Sequence, residues 1–372
     1  MKKLKLMTIV GTRPEIIKLS ETIKLCDEVF DHVLVHTGQN YDYELNQIFF
    51  EGLGLHEPDY YLNVVSDELG DTMGNVLARS YSLMKKIAPD ALLVLGDTNS
   101  CLCVISAKRL KIPIFHMEAG NRCFDENLPE EVNRRIVDIT SDVNLCYSEH
   151  ARRNLLDMGF PADRVFVVGS PMREVLSAHM EDIEKSDVLT RMGLERGGYI
   201  VLSAHREENI DLEANFDEMV RAINALAGKY NVPILYSMHP RSRNSIEKRG
   251  TVFHPLVKAH KPFGFADYIQ LQRNSLCVVS DSGTLAEESA ILGFPAVSLR
   301  TSTERPEVVD KGIFVLGCLN KERVLQAVDV AVKLRGRNDK VAEYETCCVS
   351  EKLVKLIQGY SGYVQRTVWA RR

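Results

Sequence analysis

Short apolar runs rich in β-branched residues alternate along this chain with longer segments of helical periodicity. An apolar run bounded by turn residues is typical of a buried strand, and a helix after each strand makes consecutive strands parallel. The first series of predicted strands covers residues 4–10, 32–37, 91–95, 112–116, 143–147 and 164–168. The second series covers residues 199–203, 232–237, 276–280, 295–299 and 313–316. The pattern predicts an α/β protein with two Rossmann-like, doubly wound domains.

A charged segment with few strand signals separates the two series. The pattern pauses near Pro171, and residues 174–198 are typical of a connecting helix and linker. With 372 residues, of which 45% are hydrophobic, the chain can supply two cores. We therefore expect two domains that face each other across a cleft.

Charge, cysteine content and hydropathy exclude several classes of partner. The net charge of −5 is mild and dispersed, which argues against nucleic acid or a membrane surface as the main partner. The nine cysteines include no CxxC pair, so reduced thiols are expected instead of disulfides or a zinc ribbon. Residues 1–20 contain no apolar core of a secretory signal peptide, and no later run reaches ~18 apolar residues. We therefore expect a cytoplasmic protein.

Three carboxylates lie just past predicted strands in the first half of the chain. Asp97 stands in LVLGDTNS, Glu118 in IFHMEAGNR, and Glu130 in the NLPEEVNRR that follows. The carboxyl ends of parallel strands border the ligand crevice, so these acids are candidates for proton transfer.

A helix start with two cations follows the first predicted strand. Thr12 and Glu15 fit a capping box, and Pro14 suits a first helical turn. Arg13 and Lys18 stand near the positive end of the helix dipole, which favours an anion there. The alternative is two solvated cations.

A second candidate anion site follows the predicted strand at residues 276–280. Ser282, Gly283 and Thr284 let backbone N–H groups approach a phosphate, although Thr284 with Glu287 also fits a plain capping box. Glu288 is a candidate for ribose hydroxyls, against the commoner fate of an exposed helical glutamate.

Further cations lie past other strands of the second series. Arg305 stands in a TERPE turn, and His205 with Arg206 follows the strand at residues 199–203. A histidine at a strand end is often a satisfied core residue. The basic and N–H-rich sites together indicate a bound diphosphate.

Several motifs are absent, which narrows the chemistry. The sequence has no GxGxxG after a predicted strand, no GxxxxGK[ST] and no GxSxG. It also has no HExxH, DxD or spaced His/Cys cluster. We therefore expect no cofactor and no metal.

Taken in order, the motifs resemble the non-hydrolysing UDP-N-acetylglucosamine 2-epimerase family. They are VGTRPEIIKLS, LVLGDT, FHMEAGNR, LPEEVNRR, SAHREEN, SDSGTLAEESAILGFPAVSLR and TERPEVV. The variants GDTNSCL, MEAGNRCFDENLPEEVNRRIVD, GSPMREVL and YVQRTVWARR are most similar to the branch that makes UDP-N-acetyl-L-fucosamine.

The resemblance implies a glycosyltransferase-B-like fold and a set of site residues. Its domains would be 1–171 with a returning C-terminal helix 360–372, and 172–359. The family roles carry over to chemistry and phosphate binding at Arg13, Lys18, Asp97, Glu118, Glu130 and His205, and to the nucleotide at Tyr268, Ser282, Gly283, Glu288 and Arg305. Tyr268 would stack on uracil, although by itself it passes for a core residue of a helix. We also expect a homodimer.

The sequence departs from the family pattern at two places. Gln39-Asn40-Tyr41 replaces a Gln-His-Arg of an allosteric site, so that regulation is not expected here. Thr284 replaces a frequent second glycine, which a hydroxyl can do if φ stays below zero.

The implied reaction inverts carbon 2 of a UDP-2-acetamido sugar, most simply UDP-2-acetamido-2,6-dideoxy-L-talose, for capsule or O-antigen synthesis. UDP leaves and then adds back, with Asp97 and Glu130 transferring protons, Glu118 stabilising charge and His205 at the departing phosphate. The alternatives are UDP-N-acetylglucosamine or a UDP-diacetamido-uronate as substrate, a glycosyltransferase, and a nucleotide-sugar sensor without turnover.

Overall fold

The computed structural model describes residues 2–38, 47–238, 240–337 and 339–370. It divides the chain into two compact units, Met1–Ala178 with Ala342–Arg372, and His179–Val341. The boundaries expected at 171/172 and 359/360 differ from these limits. Helices at Met172–Ala178 and Val349–Thr367 both pack against the first helix of the chain, at Arg13–Val29, and so belong with the first unit.

The first unit is built on a seven-stranded sheet in the order β3-β2-β1-β4-β5-β6-β7, with every pair parallel. Its strands are β1 (Lys5–Val10), β2 (Asp31–His36), β3 (Tyr60–Tyr61), β4 (Ala91–Leu95), β5 (Ile114–Met117), β6 (Val143–Cys146) and β7 (Val165–Val167). The helices up to the end of its first segment are α1 (Arg13–Val29), α2 (Gln47–Gly52), α3 (Leu69–Ile87), α4 (Val104–Arg109), α5 (Pro129–Thr140), α6 (Glu149–Asp157) and α7 (Met172–Ala178).

The second unit is built on a six-stranded parallel sheet in the order β10-β9-β8-β11-β12-β13. Its strands are β8 (Ile200–Ser203), β9 (Ile234–Ser237), β10 (Val257–His260), β11 (Cys277–Ser280), β12 (Ala296–Ser298) and β13 (Val315–Leu316). The remaining helices are α8 (Met180–Lys185), α9 (Val188–Arg191), α10 (Glu207–Ile210), α11 (Glu213–Tyr230), α12 (Pro240–Lys248), α13 (Phe265–Asn274), α14 (Thr284–Leu292), α15 (Pro306–Asp310), α16 (Lys321–Lys333) and, back in the first unit, α17 (Val349–Thr367). The prediction of two doubly wound α/β domains is confirmed.

Two strands of the structure have no counterpart among the predicted ones. β3 is only two residues long, and β10 (VKAH) is a half-exposed edge strand that lacks the continuous apolar run of a central strand. Central strands such as β4 (ALLVL) are buried along their whole length. A parallel strand that is buried on both faces has a continuous apolar run, by which it can be predicted from the sequence. Edge strands lack this run.

Each sheet is covered by its own apolar core. In the first unit one cluster joins β1, β4 and β5 to α3, α4 and α5, and in the second a cluster joins β8, β9, β11 and β12 to α11 and α16. These cores fix the strands, and the polar side chains that follow the strands lie along the carboxyl edge of each sheet. No helix in the described part of the chain is long and apolar enough to span a membrane.

Candidate active site

The three candidate acids of the first unit follow neighbouring elements. Asp97 lies two residues past the end of β4, and Glu118 directly follows β5, the strand that pairs with β4. Glu130 lies in the first turn of α5 and is half-buried. The carboxyl edge of one sheet thus carries Asp97 and Glu118, with Glu130 on the helix that follows.

Asp97 is held by Arg134, which the sequence analysis did not single out. The Nε and Nη2 atoms of Arg134 donate to Oδ2 of Asp97 at 3.0 and 2.5 Å. Among the described residues no donor reaches Oδ1 of Asp97. The ion pair therefore orients the carboxylate and leaves one oxygen for a ligand.

Glu118 forms a buried ion pair with Lys18. The Nζ atom of Lys18 lies 2.7 Å from Oε2 of Glu118, and both side chains are at most 9% exposed. Lys18 also lies over the ring of Tyr147, 5.6 Å from its centroid. The anion expected near Lys18 includes this carboxylate, and the alternative of a solvated cation is wrong for Lys18.

The backbone at Glu118 is in the left-handed region, with φ of 70°. For a residue other than glycine this conformation costs on the order of 1 kcal/mol and persists where the surroundings enforce it. Asp138 is one enforcing group, because its carboxylate accepts from the N–H of Gly120 at 3.2 Å. Burial opposes ionisation of Asp138, yet its contacts with His116 and Arg122 outweigh burial and lower its pKa.

Glu131, next to Glu130, is a structural brace. Its side chain is fully buried and accepts from Nη1 of Arg134 at 2.7 Å and from the N–H of Cys123 at 3.1 Å. Arg134 therefore connects Glu131 to Asp97. A glutamate pair at the start of α5 thus divides into one half-buried acid, Glu130, and one internal acid.

The start of α1 differs from the predicted capping box. The Thr12 side chain accepts no bond from the helix backbone; its hydroxyl instead donates to Glu15 at 3.2 Å. Glu15 accepts from the N–H of Gly11 at 2.5 Å and from the hydroxyl of Thr98, the residue after Asp97. Glu15 therefore joins the turn after β1 to the turn after β4.

Burial dominates the chemistry of Glu15. The side chain is 1% exposed, and loss of hydration raises its pKa to about 7 against the opposing effect of its hydrogen bonds. Gly11 lies in the same turn, where a Cβ atom would stand 1.9 Å from Oγ of Ser100 and 2.2 Å from Oγ1 of Thr37. Only glycine fits that close approach. Arg13, the first residue of α1, is half-buried, with its guanidinium 5.7 Å from the ring centre of Phe49.

In the second unit, Asp281 organises the residues that follow β8. This fully buried carboxylate accepts from the backbone N–H groups of His205 and Arg206 at 2.9 and 3.0 Å, and from Nδ2 of Asn209 at 3.0 Å. Nδ1 of His205 lies 3.3 Å from Asp281, and the imidazole is 32% exposed. Asp281 therefore fixes His205 through its Nδ1 side, and the interpretation of His205 as a core residue is wrong.

The turn between β11 and α14 also lacks the predicted capping box. Gly283 is the N-cap, and Thr284 is the first helical residue, so Thr284 cannot cap the helix with Glu287. The hydroxyls of Ser282 and Thr284 lie 3.0 Å apart, and the N–H of Thr284 donates to Ser282 at 3.4 Å. Thr284 is absent from the residues with positive φ, so a hydroxyl residue fits where the family often has glycine.

Three further predicted residues have defined surroundings. Glu288 is buried and accepts from Nε2 of Gln272 at 2.7 Å, so it is not an exposed helical glutamate. Tyr268, in α13, is half-exposed, so the interpretation of Tyr268 as a core residue of a helix is wrong. Arg305 is only 1% exposed and contacts Glu287 at 3.4 Å. Arg305 therefore fixes α15 against α14.

Sequence reasoning missed the residues that act through partners distant in the chain. Arg134, Glu15 and Asp281 each bind a residue at least 37 positions away. The one local signal was the spacing of Glu131 and Arg134, which places them on one helix face.

Comparisons with known proteins give one consistent result. A family model described as UDP-N-acetylglucosamine 2-epimerase matches residues 24–358. The UDP-2,3-diacetamido-2,3-dideoxy-D-glucuronate 2-epimerase of Pseudomonas aeruginosa is 34% identical over 331 residues, which cover 87% of this chain and 91% of that protein.

Two solved structures resemble the whole chain. UDP-N-acetylglucosamine 2-epimerase from Rickettsia bellii has 43% identity and a TM-score of 0.92, covering 99% of this chain and 100% of that one. The Methanocaldococcus jannaschii enzyme in complex with UDP-GlcNAc and UDP has 32% identity and a TM-score of 0.91, covering 96% and 100%. These neighbours have the glycosyltransferase-B-like fold.

Proposed function

Because this chain belongs to the UDP-N-acetylglucosamine 2-epimerase family and is an isomerase, we propose the following reaction. The enzyme inverts carbon 2 of a UDP-2-acetamido sugar by eliminating UDP and adding it back to the other face of a glycal. The substrate is UDP-2-acetamido-2,6-dideoxy-L-talose, and the product is UDP-N-acetyl-L-fucosamine, a precursor for capsule or O-antigen synthesis.

The observation that carries the reaction is the set of three acids in different surroundings. Asp97 is anchored through one oxygen, Glu118 is neutralised by a buried lysine, and Glu130 is half-buried in the first turn of α5. Inversion needs one proton acceptor and one proton donor on opposite faces of carbon 2. Asp97 and Glu130 are the two acids assigned to these steps.

The elimination balances without an added oxidant. A carboxylate takes the proton from carbon 2, the C–H electron pair forms the double bond to carbon 1, and the bond from carbon 1 to the β-phosphate oxygen breaks with its electron pair going to UDP. In the return step UDP attacks carbon 1, and the acid on the other face protonates carbon 2. The Glu118–Lys18 pair stabilises the charge that develops on the sugar.

UDP is assigned to residues of the second unit. The start of α14, with Ser282, Gly283 and Thr284, offers N–H groups and hydroxyls to phosphate oxygens. His205, oriented by Asp281, is assigned to the leaving phosphate, with Arg206 beside it. The ribose and uracil are assigned to Glu288 and Tyr268.

Sequence variants around the acids support the choice of a 6-deoxy sugar. The segment MEAGNRCFDENLPEEVNRRIVD, which carries Glu118, Cys123 and Glu130, is most similar to the fucosamine branch. Cys123 bonds to Glu131, and Glu131 shares Arg134 with Asp97. A variant segment this close to an acid is suited to select the sugar. The relatives favour two other substrates, UDP-N-acetylglucosamine and the diacetamido-glucuronate.

Solvent exchange tests the reaction and the substrate together. Each of the three UDP-sugars is incubated with enzyme in heavy water, and the carbon-2 proton signal is followed by NMR. We expect deuterium at carbon 2 with inversion, fastest for the 6-deoxy-talose sugar. Faster exchange of UDP-N-acetylglucosamine would overturn the substrate only. Stoichiometric release of UDP without exchange would overturn the epimerase reaction itself.

A further inference from the structure

Three side chains with metal-ligating atoms meet far from the acids described above. They are Asp27 near the end of α1, His32 near the start of β2, and His56 in the segment before β3. Their ligand atoms all lie within 4.8 Å of one another. They lie at the amino edge of the sheet, whereas Asp97 and Glu118 follow the carboxyl ends of its strands. We propose that Asp27, His32 and His56 form a binding site for a zinc-like divalent cation.

The hydrogen bonding of His56 fixes which nitrogen faces the carboxylate. Nδ1 of His56 lies 2.6 Å from the carbonyl oxygen of Glu57, which only accepts, so Nδ1 carries a proton and donates. Nε2 then directs its lone pair at Asp27, 3.3 Å away. A lone pair that faces a carboxylate is satisfied by a proton or by a divalent cation between the two atoms, and a metal ion can take the place of that proton. Metal-bound histidines commonly donate their other ring N–H to a carbonyl in this way.

His32 has the matching arrangement from the buried side. Its Nε2 lies 2.8 Å from the hydroxyl of Thr8, and its Nδ1 lies 2.5 Å from Oδ1 of Asp27. The Thr8 hydroxyl can accept from Nε2–H, and a metal ion would then replace the proton that joins Nδ1 to Asp27. The ring is 1% exposed, so its orientation is set by packing.

The distances suit a small tetrahedral ion after one adjustment. Zinc bonds to nitrogen and oxygen of about 2.0–2.1 Å give ligand-to-ligand edges of about 3.3 Å. The contact of His56 with Asp27 already has that length, at 3.3 Å, whereas the 2.5 Å contact of His32 with Asp27 must widen. Asp27 is 34% exposed, so its side chain has room to move.

Access and charge also favour a cation. His56 is 43% exposed, so water can complete the coordination beside the three protein ligands. Glu57 and Asp59 follow His56 in the chain and add negative charge around it. Because Asp27, His32 and His56 come from three different elements, the ion would fasten the end of α1 to β2 and to the segment before β3.

Zinc binding to untagged, chelator-treated protein tests the proposal. Calorimetry is expected to show one tight site, and Co²⁺ is expected to give the visible absorption of a four-coordinate ion. At a hundredfold excess over Kd, zinc should raise the Tm by about 5–10 °C. Zinc-edge anomalous diffraction should place the ion among the three side chains.

His56→Ala and Asp27→Asn are the informative variants, since both side chains are partly exposed and neither belongs to the catalytic set. Changes to residues that merely support a ligand cost ~10–100-fold in affinity, so loss of a ligand should cost at least that much. Asp31→Asn, an exposed acid at the start of β2, is the matched control and should bind like the wild type. Absence of zinc binding in the wild type, or unchanged binding in both ligand variants, would overturn the site.

Discussion

At the scale of single residues, the acids of the first unit differ in what their partners allow them to do. No donor among the described residues reaches Oδ1 of Asp97, whereas Glu131 is fully buried and bound by arginine and backbone groups. A group that exchanges a proton with a ligand needs an accessible atom, and a brace needs none. This contrast is the reason for assigning proton transfer to Asp97 and Glu130.

Asp97→Asn and Glu130→Gln should each lower turnover by at least ~100-fold while UDP binding changes little, because acid–base groups typically contribute ~10²–10⁴. Stopped assays give kcat, and calorimetry gives the affinity for UDP. Glu126→Gln is the matched control, since Glu126 is 67% exposed in the same segment and pairs with Arg135. Near-normal turnover in either variant would remove that residue from the assignment.

Glu15 should make stability depend on pH. Its pKa is about 7 in the folded protein against 4.5 for a solvated glutamate, so the folded state holds the proton more tightly. The stabilisation is complete below pH 4.5 and is lost as the pH rises through 7, a change of about 3 kcal/mol. Glu15→Gln removes this ionisation. The free energy of unfolding, measured with urea, should shift in favour of the variant relative to the wild type by about that amount between pH 5 and pH 8.

A constant difference between Glu15→Gln and wild type across this pH range would contradict the prediction. Thr12→Val serves as the control, because it removes one hydrogen bond to Glu15 without removing the titrating group. Its stability should fall at both pH values while the pH dependence remains.

Arg305→Ala should lower the stability of the folded protein, and not only its affinity for UDP. The guanidinium is 1% exposed and contacts Glu287, which is fully buried. Removing one partner of a buried pair typically costs ~3–5 kcal/mol, because the remaining charge stays buried. Thermal unfolding should show the loss, and the exposed Arg323→Ala should stay within ~0.5 kcal/mol of wild type. An unchanged Tm for Arg305→Ala would return this residue to a purely nucleotide-binding role.

The site residues that were predicted from the sequence follow predicted strands. Those that were missed bind partners that are distant in the sequence. Asp97, Glu118 and His205 follow apolar strands, so the period of the sequence placed them at a sheet edge. Glu15 was assigned to a local cap, and besides its local bonds to Gly11 and Thr12 it accepts from Thr98, 83 positions away. Local rules describe only the nearest donors, whereas the Thr98 hydroxyl reaches the same carboxylate through the fold.

At the scale of elements, α17 shows how the end of the chain stabilises the first unit. Leu353, Ile357 and Val364 are fully buried along one side of this helix, and the helix packs against α1. Sequence reasoning assigned only residues 360–372 to the returning helix, because the second series of strands masks where the chain changes units. The chain re-enters the first unit at Ala342, and residues from Val349 onward are buried in it.

Ile357→Ala should therefore lower the free energy of unfolding of the first unit by ~2–5 kcal/mol, the usual cost of emptying a fully buried aliphatic site. Lys355→Ala, on the same helix and 77% exposed, is the matched control. Hydrogen exchange should show faster opening of α1 and α17 in the first variant only. If both variants behave alike, the helix contributes little to the core.

At the scale of the whole molecule, each unit carries a separate group of candidate site residues. The acids and their cations belong to the first unit, and the Asp281 cluster and the start of α14 belong to the second. The same alternation of strands and helices predicts both parallel sheets, yet different polar residues follow the strands of each sheet. The fold repeats, and the residues after the strands make the two units different.

Saturation with the true substrate should be hyperbolic, and UDP-N-acetylglucosamine should not activate the enzyme. Gln39-Asn40-Tyr41, which lies outside the described residues, replaces the imidazole and guanidinium groups that would hold a second diphosphate. Each lost charge-assisted contact costs roughly 1.5–3 kcal/mol, so two losses weaken such a site by ~100-fold or more. Initial rates over a wide range of substrate, with and without micromolar UDP-N-acetylglucosamine, test this. A sigmoidal curve or activation would show that other residues, such as Arg243, hold a second molecule.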